Sequence, residues 1–435
     1  MNELQAGAAE VVITPPLGIS MAGYYNDRKA DDVHDDLFAH ALVLEAGGAR
    51  AALVVCDLIG LDRELALESR ALVEQRTGIP ATAVMICCTH THTGPLVSRK
   101  PHRILEADPG YADMVVRKVA DAVQLAWQRR QSASLRAGPG HAEGIAGNRR
   151  WWMKNGTLRT NPPFQDPELD RPAGPIDPEV GILAAYREDG SVLAVLSNYA
   201  LHSDEVGGTA LGGDYQGVEN RLLKRFLGPD CAVLCPNGCC GDINHFDWSK
   251  PAPQSGQWRA DRSGAVVAGE VVKRLPDLKP VEGERVTANS VTLTAELRLP
   301  NDEEAAWAEK VAGGQMHGFD AQGLDIVRAH RMLRLRDAGI ANRPAEVSVI
   351  TVGDVALVGL PGEIFVELGL EIKERSPFPY TIVNELCNDS IGYVPTAKAY
   401  GEGGYEATST PLAEGTGERL VEAALKLLQE AKAKA

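Results

Sequence analysis

Short apolar runs rich in β-branched residues recur along the chain, and each gives way to a polar, glycine-containing loop. "ARAALVVCDLIGLD" (Ala49 to Asp62) is the first, and "ATAVMICCTHTHTGP" (Ala81 to Pro95) follows it. Runs of this length and composition predict strands. Turn residues join two pairs of runs, at Asp189-Gly190 in "VGILAAYREDGSVLAVLSNYALHSDEVGG" and at Gly353-Asp354 in "EVSVITVGDVALVGLPGEIF", which predicts two hairpins. "CAVLCPNGCCGDINHFD" from Cys231 and "YTIVNELCNDSIGYVPT" from Tyr380 complete the set. Between them lie "RELALESRALVEQRTG", "YADMVVRKVADAVQLAWQRR" and "RSGAVVAGEVVKRL", with apolar residues every three or four positions, the spacing of one helical face. "DEEAAWAEKVAGG" and "GLDIVRAHRMLRLRDAG" predict a helical excursion near residues 301–340, and an amphipathic helix over 417–434 closes the chain. Strands alternating with helices, mixed with hairpins, predict a layered α/β protein: one catalytic domain over residues 1–435, with mixed β-sheets flanked by helices. The Pro- and Asp-rich stretch "RTNPPFQDPELDRPAGPIDPEVG" reads as a long surface loop beside a site.

Composition narrows the partners. The net charge of -15 over 435 residues argues against a nucleic-acid partner and an anionic membrane surface, and leaves a small-molecule substrate. No apolar run approaches the roughly 18 residues of a membrane span, so no stable membrane insertion is expected. The first residues lack a basic segment ahead of an apolar one, and the eight cysteines include two adjacent pairs ill suited to a disulfide framework. Both features point to reduced thiols and the cytoplasm, with homo-oligomerisation left open.

Ten histidines occur, and three of them, His90, His92 and His202, stand at strand-to-loop junctions. In extended backbone residues i and i+2 share a face, so His90 and His92 would look into one pocket. A divalent metal needs ligands from separate segments. "ALHSDE" supplies His202, "LPGEIF" supplies Glu363 and "NDSIGYVPT" supplies Tyr393. Imidazole and carboxylate donors with an open position suit catalytic zinc, whereas a closed structural site would use thiolates. The spacings alone also fit a solvated loop with a chance pair of histidines. Cys235 and Cys239 lack a second pair, and "GGTALGGDYQG" lacks the lysine of a phosphate-binding loop.

Taken in order, "THTHTGP", "NYALHSDE", "CCGDINHF", "LPGEIF" and "CNDSIGYVPT...GYEATST" resemble the motifs of the neutral (non-lysosomal) ceramidase family, whose N-terminal catalytic domain the chain is similar to from "AGAAEVVITPPLG" to about Pro411. The resemblance implies a zinc amidase with an α/β catalytic domain and one bound zinc ion. It implies His90, His202, Glu363 and Tyr393 as ligands. It places His92 beside the metal as a proton-transferring residue, and Arg149 and Tyr405 as donors to the reacting carbonyl. Neighbouring Arg150 is an alternative for that part, and Asn244 and His245 are candidate substrate contacts. Asn244 stands where the family has a serine, and the chain ends about 25 residues after "YEATST", which leaves no room for the family's C-terminal immunoglobulin-like domain. The function implied is a zinc-dependent hydrolase that cleaves an amide or ester through a metal-activated water, on a substrate other than ceramide. The alternatives are a metal-assisted lyase, a carbohydrate-active enzyme using the same zinc, or an inactive metal-binding relative.

Overall fold

Three sheets, each covered on its outer side by helices, face one shared apolar core in this computed structural model, which describes residues 4–100, 105–283, 285–313 and 324–433. In the first sheet the order is β4-β3-β2-β1, with β1 (Gln5–Val12), β2 (Phe38–Ala46), β3 (Ala49–Cys56) and β4 (Val84–Cys88). Gly47 and Gly48, both at positive φ, make the two-residue turn between β2 and β3. Helix α1 (Arg63–Thr77) then crosses over to place β4 parallel to β3, and α2 (Pro109–Gln128), capped by the Asp108 side chain on Tyr111 N–H, packs beside it.

The second sheet, ordered β8-β7-β6-β5, repeats this plan with β5 (Ser134–His141), β6 (Glu179–Tyr186), β7 (Val192–Asn198) and β8 (Ala232–Leu234). Here α3 (Asp214–Leu227) is the crossover from β7 to the parallel β8, and α4 (Gln257–Arg274) covers the same face. In the third sheet β9 (Val286–Glu296) leads into the helices α5 (Asp302–Ala312) and α6 (Leu324–Ala338) before pairing with β10 (Asn342–Val352). β11 (Val355–Gly359) follows, then α7 (Val366–Arg375), then β12 (Tyr380–Asn384) parallel to β11. The short helices α8 (Ala397–Glu402) and α9 (Tyr405–Ser409) precede α10 (Thr416–Lys432), which packs on this sheet's outer face.

Strand periodicity explains why the apolar runs are continuous. In β4, Val84, Ile86 and Cys88 belong to the outer core under α1 and α2, while Met85 and Cys87 point into the central core. Leu183 and Leu196 reach that central core from the second sheet, and Leu357 and Ile382 from the third. A strand buried on both faces needs no polar alternation. Each parallel pair also ends at one edge, where crevices form at the carboxyl ends of strands. Three such edges therefore supply the loops after β3 and β4, after β7 and β8, and after β11 and β12.

The layered α/β architecture and both predicted hairpins are present, with turns at Asp189-Gly190 and Gly353-Asp354. The helical excursion contains α5, closed at its start by an Asn301–Glu304 capping box, and α6; residues 314–323 between them lie outside the described residues, as does Lys434 of the predicted tail helix. The Pro- and Asp-rich stretch is not all loop. Leu158–Thr160 and Leu169–Pro172 pair on either side of Arg150–Met153 as a small sheet, because the prolines sit at its ends and in the turn between. All eight cysteines are buried and free, and among the described residues no helix is long and apolar enough to cross a membrane.

One buried acid carries a measurable consequence. Glu219 of α3 has no ion pair among the described residues, and burial, against smaller opposing effects of Ser197 and Cys235, pushes its carboxyl up to about 7. Between pH 4.5 and 7 the folded chain holds a proton that the unfolded chain has released, so stability falls as pH rises through that window. Glu219→Gln is expected to remove this slope and to raise the unfolding free energy at pH 8 by on the order of 2 kcal/mol, with little effect at pH 4. Urea titrations at both values check it.

Candidate metal centre and active site

Backbone pairing carries the β3–β4 register past the strand ends: Thr89 N–H donates to Cys56 O at 2.9 Å and His90 N–H to Leu58 O at 2.9 Å. His90 itself is left-handed, with φ 63, so the expected extended backbone across His90 and His92 is not what aligns their rings. The chain reverses at His90, and that strained turn brings the two imidazoles to 5.0 Å between centroids. The His90 Nδ1–H donates to Ile59 O at 2.7 Å, which leaves the Nε2 lone pair facing inward. His202, at the end of the loop that follows β7, sets its Nε2 3.2 Å from that of His90, and His92 Nε2 lies at 3.4 Å.

Three imidazole nitrogens at this spacing fit the edges of a tetrahedron: bonds of 2.0–2.1 Å to a zinc ion require nitrogens about 3.3 Å apart. Burial drives His92 and His202 well below the ordinary imidazole range. Glu363 closes the group. Its Oε2 lies 3.5 Å from His90 Nε2, is buried and has no hydrogen-bond partner among the described residues. Burial works to raise its carboxyl, but the neighbouring His90 outweighs this and holds it below the usual range. A buried carboxylate oxygen without a partner costs free energy unless a cation or donor meets it. The three histidines form a group that could hold a metal ion, and this oxygen lies beside it.

Around this group stand the other predicted residues. A two-residue parallel pairing sets Tyr393 opposite Glu363, with the phenol facing that carboxylate and the Arg149 guanidinium. Arg149 is buried; its Nε donates to Glu406 at 2.6 Å and its second nitrogen to Gly241 O at 2.7 Å. The Tyr405 ring packs 5.4 Å from that of Tyr393, and its hydroxyl bonds Tyr25. Arg150 is placed elsewhere: it braces the α8–α9 connection through Glu402 at 3.2 Å and Gly403 O at 2.9 Å. Asn244 caps its own turn, accepting from His245 N–H at 2.8 Å, and is paired in a short bridge with Gly147. The His245 ring is buried, bonds Ser255 at 3.0 Å through Nε2 and leaves Nδ1 without a partner.

Two neighbours, Asp204 and Glu385, carried no expectation from the sequence. Asp204 accepts from the Tyr24 hydroxyl and stands 3.5 Å from His92 Nδ1. Glu385, fully buried below the group, accepts from Cys240 N–H at 3.1 Å and Ile364 N–H at 2.8 Å, tying the loops that carry His202's neighbour and Glu363 to the end of β12. An acid ending the apolar run "YTIVNE" was the available signal. Asp242 accepts from Val366 N–H at 2.9 Å at the start of α7 and from Asn148 at 2.7 Å, so its role is to orient loops.

No protein-family model matches the sequence, and no curated protein matches it. Among solved structures, the neutral ceramidase from Pseudomonas aeruginosa is 18% identical with a TM-score of 0.75, over 99% of this chain and 75% of that one. A ceramidase complexed with C2 is 16% identical with a TM-score of 0.77, over 99% and 76%. The fold of this protein, along 99% of its length, is therefore that of the neutral ceramidases, as its motifs led one to expect.

Proposed function

We propose that the protein is a zinc-dependent hydrolase of an acyl C–N or C–O bond in a small or medium-sized substrate other than ceramide, working as a single catalytic domain in the cytoplasm. The observation that carries this reading is the orphaned Glu363 oxygen beside three converging imidazole nitrogens. His90, His202 and Glu363 would hold one ion, with the Tyr393 phenol beside them. When bound, zinc lowers the pKa of a water toward roughly 7 and polarises a carbonyl.

The protein's own groups divide the remaining work. His92 is the most solvent-reachable of the three rings, at 8% exposure against 4% and 2%, and Asp204 lies behind its Nδ1. It accepts the proton of the attacking water at Nε2 and returns it to the leaving group. Arg149, fixed by Glu406, and the Tyr405 hydroxyl face the oxygen on which charge develops, an interaction worth on the order of 3 kcal/mol per donor. The burial of Asn244 in its own turn supports water, not a side chain in that position, as the nucleophile.

A second reading, a carbohydrate-active enzyme or lyase on the same centre, draws on a cavity of about 390 Å³ lined by Trp151, Phe246 and Trp248, whose faces suit a sugar ring. Acyl amides, esters, lactones and unsaturation-prone uronides offered in 18O-labelled water separate the two. Label in a carboxylate product, lost with a chelator and restored by zinc, is the expected result. An unsaturated product favours the lyase, and turnover that survives chelation removes the metal reading.

A further inference from the structure

Resting on the hydrolase reading, we propose that the substrate carries an anionic oxygen group near the scissile bond and that Arg331 of α6 receives it. Helix α6 presents Arg328, Arg331 and Arg334 at three-residue spacing, successive turns of one side. Arg331 is the one turned into the protein. It is half-buried, and its guanidinium donates to Thr408 O at 3.3 Å. Thr408 lies on α9, three residues after Tyr405, whose hydroxyl bonds Tyr25 and whose ring packs on Tyr393 beside Glu363. A short chain of contacts thus connects the Arg331 guanidinium to the metal group, on the side where Tyr25 opens to solvent at 40% exposure.

What marks this cation is its lack of a counter-charge. Among the described residues no carboxylate lies within ion-pair distance of it. Glu304, an acid of the excursion, is taken by Arg298 at 2.7 Å and approached by Arg328 at 4.0 Å. Some other arginines find acids, as Arg99 does in Glu68 and Asp113 and Arg336 in Glu309 and Asp337, whereas Arg262 and Arg419 donate to the carbonyls of Gly144 and Thr294. Burial, and then the neighbouring Arg328 and Arg334, lower Arg331 to about 10, against the opposite pull of the Tyr405 and Tyr25 hydroxyls; it remains charged at neutral pH. A half-buried guanidinium without an acid is costly unless an anion from outside completes it. Its planar fork matches a carboxylate or another oxyanion two bonds at a time. On a chain of net charge -15, the cationic row on α6 would also draw anions toward it selectively.

The test compares N-acetylglycine-type acyl amino acids with their primary amides, matched in shape and differing in one charge. The zinc-loaded full chain is expected to favour the acid by at least about 100-fold in kcat/KM, mostly through KM. Arg331→Gln should collapse that preference to within about 5-fold, Arg331→Lys should keep part of it, and Arg336→Gln should keep all of it. An unchanged acid-over-amide ratio in Arg331→Gln, or a wild-type preference for the amide, overturns the proposal. Should no acyl compound be cut, calorimetric binding of N-acetylglycine decides separately. Binding weakened about 100-fold in Arg331→Gln sustains the anion site and removes only the hydrolase reading; no binding to the wild type removes the anion site. Competition by acetate against inorganic phosphate tells a carboxylate group from a phosphate.

Discussion

His202→Ala is expected to leave the purified protein with less than a tenth of the zinc bound by the wild type and to lower kcat/KM by about 10³-fold or more. The magnitude follows from a metal contributing several kcal/mol, of which about 4 kcal/mol equals three decades in rate. His202 is 2% exposed, and its Nε2 stands 3.2 Å from that of His90, so its removal takes one converging donor atom out of the group. His92→Ala separates the roles assigned above. Asp204 stands 3.5 Å from its Nδ1, and a proton carrier can be lost without losing the ion. Zinc retained near one equivalent with kcat/KM down by about 10²-fold or more is the expected outcome. If both variants lose the metal together, His92 is a ligand and the proton must travel by another group. Metal analysis by mass spectrometry beside steady-state kinetics reads both quantities.

Arg149→Met is expected to be the most destabilising single change near the site. The methionine keeps much of the side-chain volume, but Glu406, at 0% exposure, loses its 2.6 Å partner. Breaking a buried pair from one side costs about 3–5 kcal/mol because a charge is left without compensation. Thr160, at 2.9 Å, and Arg150, at 3.8 Å, remain near Glu406 and place the cost at the lower end, about 3 kcal/mol. Adding Glu406→Gln removes the stranded charge, so the double variant should recover more than about 1 kcal/mol. Urea unfolding of the four proteins of this cycle measures the coupling. Additive losses would mean that the pair contributes nothing as a pair. Activity should stay low in the double variant, since the cation that faces the reacting oxygen is gone from both.

Much of the site was legible before any coordinates. His90, His92, His202, Glu363, Tyr393, Arg149 and Tyr405 all come together: the histidines from the loops after β4 and β7, Glu363 and Tyr393 from those after β11 and β12, Arg149 from the segment after β5 and Tyr405 from α9. Arg150 is drawn off by Glu402, and no spacing could have told it from Arg149, its neighbour in sequence. Asp204 and Glu385 were in plain view as letters, but their importance depends on being buried against partners more than a hundred residues away. Helix α3 went unrecognised because "GGDYQG" reads as a glycine-rich loop, and Asp214 starts the helix from a positive φ of 52 while its side chain bonds the N–H groups of Glu205, Val206 and Tyr215.

The amino-acid sequence by itself determined the strand runs that lead into the histidine, Glu363 and Tyr393 motifs, the helices α1, α2, α4 and α10, the two hairpin turns and the order in which metal-capable side chains follow strands. These depend on local periodicity and turn chemistry, which act over a few residues. Only the tertiary structure decided that His90 turns left-handed and that, among the described residues, Glu363 keeps an unpartnered oxygen and Arg331 arrives beside Tyr405 without an acid. Those facts come from packing three sheets on one core, and packing couples residues whose separation along the chain leaves no periodic trace.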